Sequence, residues 1–247
     1  DQTCGKDKKK VPVVAREAFV QLGYGPVLYR GQAELMMMSL LKAAEKAAKL
    51  AKKHGVKIGS INPNVFQDQD YKLGSFCSPD AKARRAALKH TMDSIEIGKA
   101  VGSKHLSMWL ADGTNYPGQD SIYRRKKDLE KAFKKINDQM EKTWRGSTLL
   151  IEYKPFEPSF YHTDIADWGM SYLFCGKAGK RAKVLVDTGH HLPGCNIEHI
   201  VALLLSEGML GGFHFNDRKY ADDDLTLGSI DPYAVFRIFD QIAQFTF

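Results

Sequence analysis

Three short motifs carry residues able to do chemistry together. Glu152 and Lys154 stand two apart in "LLIEYKP", and Asp187 and His190 three apart in "VLVDTGHH". His214 in "GGFHFND" is followed at eight and ten residues by Asp222 and Asp224. A spacing of two puts side chains on one face of a strand. Asp187 ends an aliphatic run, where a carboxylate needs a strong partner. Gly189 lets the chain turn, so that His190 folds back over the strand end while the adjacent His191 diverges. Phe213 and Phe215 are expected to point into packing, which leaves His214 with the strand-end polar groups. Asp222 and Asp224 can converge on one ion, with Asp223 between them facing away.

Each motif alone has a plainer reading. Glu152 and Lys154 could form a surface ion pair, Asp187 a helix cap, His214 a structural histidine, and the aspartate triplet an exposed acidic loop. Their coincidence at the ends of three successive strands favours a metal site. Crowded carboxylates repel one another, and a divalent cation offsets the repulsion. Oxygen and imidazole donors without thiolate suit manganese, magnesium, cobalt or zinc. Six donors exceed what one such ion takes from protein with room left for substrate, so two ions sharing a carboxylate are expected. Phe66 in "NPNVFQDQ" and Trp109 in "SMWLADG" follow two other strands; each could wall a ligand or merely pack.

These residues need elements to present them. "LLKAAEKAAKLAKKHG", from about residue 40, reads as a helix closed by Gly55. "VKIGSINPN" is a short strand. A second helix starts at Asp80 and is closed by Gly102, followed by the strand and loop "SKHLSMWLADG". Residues 121–143 form a charged helix, "STLLIEYK" a strand, 165–178 a helix and "AKVLVDTGHH" a strand. Asn196 and Gly208 bracket a further helix. "GMLGGFHFND" is a strand, and Pro232 opens a final helix. Strands alternating with helices imply parallel βαβ units. With no Gly-rich phosphate loop, and with polar residues at successive strand ends, the expectation is a (β/α)8 TIM barrel rather than an open sheet. Five strands are identifiable, and a sixth could lie within residues 1–40, in "VPVVAREAFV" or "PVLYRG". A barrel needs eight, so residues 1–247 are expected to be a single, partial barrel domain.

Composition bounds the rest. At 247 residues, 43% hydrophobic and 26% charged, the chain has the make-up of an ordinary globular protein. It has no apolar run of about 18 residues for a membrane span, and its first residues do not read as a secretory leader. The four scattered cysteines form no CxxC pair, which argues against a zinc ribbon and for a reduced, cytoplasmic setting. The net charge of +7 lies largely in "KDKKK", in "RRKK" at 124–127 and on the lysine-rich stretch 42–57. Solvated helix faces are expected to account for it, and nucleic acid is not an expected partner.

The segments "NVFQDQDYKLGS", "MWLADGTNYPGQ", "DWGMSYL", "VDTGHHLPGCNIEHIVA" and "GGFHFNDRKYADDDL" resemble the broad-specificity bacterial L-rhamnose isomerases, within the xylose-isomerase-like barrels. The likeness implies aldose–ketose isomerisation of L-rhamnose and related aldoses by a metal-assisted hydride shift, with an enediol route as the rival. It implies that Glu152, Asp187 and His214 hold one metal. His190, Asp222 and Asp224, with Asp187 shared or nearby, would hold a second, catalytic one, manganese being the leading choice. Lys154 would touch the reactive end of the sugar, and Phe66 and Trp109 would line its pocket beside His190. A homotetramer and a monosaccharide substrate follow from the same resemblance.

Two departures stand out. The family's ring-opening histidine should precede the helix near Leu41, where "GQAELMMMSLL" has none. A metal-ligand aspartate belongs on a later strand than any found before Phe247. A sequence that is part of a longer enzyme is the expectation. Rival readings are a single-metal sugar epimerase, an apurinic-site endonuclease-like phosphodiesterase, and a non-catalytic relative.

Overall fold

Helix-forming residues run without glycine or proline from Gln32 to Lys53, and helix α1 occupies Arg30–Lys53 of the computed structural model. The structure describes residues 30–116, 118–156, 162–221 and 223–246. α1 therefore starts well before residue 40. The stretch "GQAELMMMSLL", expected to precede it, is helical because Ala, Glu, Leu and Met all favour helix. "VPVVAREAFV" and most of "PVLYRG" lie outside the described residues.

Strand β1 (Ser60–Ile61) follows, then helix α2 (Ala81–Val101), strand β2 (His105–Met108) and strand β3 (Gly113–Thr114). Helix α3 (Ile122–Thr143) leads to β4 (Thr148–Glu152), β5 (His162–Thr163) and helix α4 (Trp168–Ala178). Strand β6 (Ala182–Asp187), helix α5 (Ile197–Ser206), strand β7 (Leu210–His214) and helix α6 (Pro232–Thr246) complete the order. Asp80, Ser121 and Asn196 stand at the expected helix starts, and Asp167 caps a helix that begins a little later than expected; each accepts a backbone N–H of the first turn through its side chain. Gly102 and Gly208 take the left-handed conformation after their helices.

The main sheet has the order β1-β2-β4-β6-β7, with every pairing parallel. It curls into part of a barrel, as an α/β barrel chain requires. Register partners in a parallel sheet share a face. Leu106, Met108, Leu149, Ile151, Val184 and Val186 turn outward into the core shared with the helices. The alternate residues, Ser107, Leu150, Glu152, Leu185, Asp187 and His214, form the inner face. Its upper edge, at the strands' C-terminal ends, is where barrel sites are built. Among the described residues no helix is long and apolar enough to cross a membrane.

The loop after β2 and the one after β4 pair through β3 and β5, antiparallel. Beneath this flap sits Arg125, 2% exposed. Its guanidinium binds Asp164 at 2.7 Å and Asp120 at 3.0 Å and donates to the Cys77 carbonyl at 3.1 Å. Asp112, also buried, accepts from Ser75 N at 2.7 Å and Cys77 N at 2.8 Å. These contacts fasten the loops following β1, β2 and β4 to one another. The "RRKK" run is thus not wholly a solvated face. Arg124 bridges Asp120 and Asp128, Lys126 pairs with Glu130, and only part of that charge is left for a polyanion.

Candidate functional site

The inner-face ends of the strands open into a cleft of about 400 Å³. It divides into two halves. One is lined by Glu152, Asp187, His190, His214 and Asp224, the other by Asn62, Pro63, Phe66, Ser107 and Trp109, with Lys154 between them.

In the first half, Glu152 and Asp187 are buried at the ends of β4 and β6. Nδ1 of His190 lies 3.1 Å from Glu152 Oε1 and 3.9 Å from Asp187 Oδ2. Nδ1 of His214 lies 3.3 Å from the other Glu152 oxygen and 3.7 Å from Asp187 Oδ2. Glu152, Asp187 and His190 bring one donor atom each within 4.8 Å of one another, a possible metal site. Two buried carboxylates between two imidazoles, with no thiolate lining the cleft, fit a hard or borderline divalent cation.

The electrostatics show the crowding. Burial pushes the Glu152 carboxyl up, but hydrogen bonds to His190 and His214 outweigh it and hold it below the ordinary value. Burial, with Glu152 alongside, keeps Asp187 above its ordinary value despite His190 and Asn216. The hydrogen bond with Glu152 raises His214. His190 Nδ1 also meets the Tyr153 carbonyl at 3.1 Å. An N–H placed there leaves Nε2 as the acceptor of the ring.

Several supporting contacts are tertiary and carry no mark in the sequence. Asn216 donates its amide to both oxygens of Asp187, at 3.0 and 3.1 Å, and reaches Asp224 at 3.5 Å. The Gly189 amide donates to Asp187 Oδ1 at 2.8 Å. Gly189 is required for a different reason than a turn: a Cβ there would lie 2.0 Å from Asn216 Oδ1. His191 is more than a neighbour, being buried and bonded through Nε2 to the Tyr153 hydroxyl at 2.6 Å.

The other expected residues divide as follows. Asp224 lines the cleft with a left-handed backbone, φ 47°. Asp223 turns away, its carboxylate accepting from the amides of Lys219 and Tyr220 at 2.6 and 2.8 Å. Asp222 lies outside the described residues. Phe213 packs on the core, but Phe215 is exposed and stacks between Phe213 and Phe239 rather than entering the interior. In the second half, Phe66 meets Trp109 edge-on at 4.4 Å, and Lys154 Nζ stands 5.3 Å over the Trp109 ring.

A probable sugar isomerase of Rhizobium meliloti is 44% identical over 195 residues, covering 77% of this chain and 45% of the relative. The xylose isomerase of Thermus thermophilus is 24% identical over 192 residues, covering 75% and 49%. The chain spans about half the length of the curated relatives it matches. Among solved structures, an L-ribulose 3-epimerase superposes with a TM-score of 0.63 at 15% identity, covering 83% of this chain and 63% of the other, a likeness of fold. The profile of the xylose isomerase-like TIM barrels matches residues 19–244, and the chain belongs to that family.

Proposed function

We propose that the cleft isomerises an aldose to the corresponding ketose, with L-rhamnose and related sugars as substrates and manganese as the preferred ion. The observation that carries this is the packing of His190 and His214 against opposite oxygens of the buried Glu152, with Asp187 beside all three. In this reading Glu152, Asp187 and His214 hold one ion, and His190, Asp224 and Asp222 the second, Asp187 being shared. Divalent ions there would polarise the oxygens on C1 and C2 of the sugar.

The chain's own groups do the remaining work. Lys154, nearly buried and poised over Trp109, donates a hydrogen bond to an oxygen at the reacting end. Asp224 and Asp222 pass the hydroxyl proton from the C2 oxygen to the C1 oxygen, while the C2 hydrogen moves with its electron pair to C1. Phe66 and Trp109 cover the sugar and exclude water.

A single-ion sugar epimerase is the second reading. The compact trio of Glu152, Asp187 and His190 favours it, since it suffices for one ion. The two readings differ in product. The chelator-stripped chain is given Mn(II) and [1-13C]-L-rhamnose, and the labelled carbon is followed by NMR. An isomerase converts C1 to a ketose CH2OH. Inertness of L-rhamnose combined with C3 epimerisation of a ketose would establish the epimerase instead.

A further inference from the structure

Ser107 is 2% exposed, lines the cleft, and its hydroxyl has no hydrogen-bond partner among the described residues. It stands on the inner face of β2, in register with Leu150 of β4, one level below the carboxylates. Two residues on, the buried indole Nε1 of Trp109 likewise has no partner there. The outward residues that flank Ser107, Leu106 and Met108, belong to the core. An apolar side chain at 107 would pack on Leu150 at no polar cost. A buried hydroxyl left unpaired opposes folding. A buried polar group without a partner in the fold needs an explanation, and among the described residues Ser107 and Trp109 are ones whose unpaired atoms belong to residues lining the cleft.

We propose that Ser107 is a specificity residue whose hydroxyl receives one secondary hydroxyl of the bound sugar, beyond the reacting C1–C2 end. This rests on the sugar reading above and adds to it the wall that reads the substrate. The reacting end belongs at Lys154 and the carboxylates, so the metal-free half of the cleft takes the far carbons. Phe66 and Trp109 offer apolar faces there, and Ser107 can both donate and accept. A site that pairs a substrate hydroxyl discriminates against the analogue lacking it, because its own polar group is then stranded.

The test is a cycle between protein and sugar, using the full 247-residue chain loaded with Mn(II). Binding of L-rhamnose and of its 3-, 4- and 5-deoxy analogues is measured by calorimetry for the wild type and Ser107→Ala. The wild type should prefer L-rhamnose over one analogue, and Ser107→Ala should reduce that ratio roughly three- to tenfold while leaving the other ratios alone. Without sugar, Ser107→Ala should melt about 2–4 °C higher, since it removes an unpaired hydroxyl. Unchanged ratios for every analogue, with the sugar still bound, overturn the proposal and spare the sugar reading. A lower melting temperature for Ser107→Ala also overturns it, by showing that the hydroxyl is paired within the fold. A wild-type chain that binds Mn(II) but none of these sugars overturns both.

Discussion

The amide of Asn216 donates to both carboxylate oxygens of Asp187, at 3.0 and 3.1 Å. Asp187 is thereby fixed in orientation from the segment just past β7, the strand that delivers His214. Outer partners of this kind orient the ligating side chains. Asn216→Ala is expected to weaken Mn(II) binding about 10- to 100-fold, read by calorimetry. Unaltered affinity would mean that Asp187 needs no support.

Gly189 and Asn216 should behave as a coupled pair. A methyl at 189 meets Asn216 Oδ1 at 2.0 Å, so Gly189→Ala must displace that side chain. A loss of about 1–3 kcal/mol is expected in urea unfolding. Combined with Asn216→Ala, the same glycine change should cost much less, because its obstacle is gone. Additive losses would locate the strain elsewhere.

Arg125 is expected to be a stability residue that touches no substrate. Arg125→Met strands Asp164 beneath the flap, while Asp120 keeps its pairing with Arg124; a cost of about 3–5 kcal/mol is expected. A loss below about 1 kcal/mol would show that the ion pairs are replaceable by packing.

Acid should destabilise the metal-free chain in a defined window. Burial pushes His90 and His191 each down to about 4. Both therefore favour the neutral form in the fold, below an unfolded value of about 6.5. The stabilisation is complete above that unfolded value and is lost as pH falls from about 6.5 towards 4. For His90 alone the loss is on the order of 3 kcal/mol. His90→Gln should flatten the dependence of unfolding free energy on pH across this window, whatever its effect at pH 7. An unchanged slope would remove His90 from the explanation.

Glu152 and Asp187 were legible because each closes an aliphatic run with a carboxylate, a pattern that survives without coordinates. The alternation of strands and helices, with polar residues at successive strand ends, pointed to the barrel architecture. Arg125 was misread with its basic neighbours, although it stands four before Leu129 on the stripe that continues through Ala132, Ile136 and Met140, all buried. That periodicity was an available signal. Asn216 had none, since an asparagine after a strand is unremarkable until the chain folds Asp187 against it. Gly189 was recognised as necessary, but the close approach that demands it is tertiary. The extension of α1 back to Arg30 was not legible in amphipathic periodicity, since "ELMMMSLL" is nearly all apolar and only its helix propensity marks it.

The most direct test follows sugar conversion while metal is returned to a stripped chain. Mn(II) is titrated into wild type and Glu152→Gln, with L-rhamnulose formation and bound metal measured together. Glu152 touches both imidazoles. Ketose formation should rise with metal occupancy in the wild type, while Glu152→Gln should need at least about 100-fold more metal and show little conversion. Conversion that is independent of metal, or that persists unchanged in Glu152→Gln, would contradict the account.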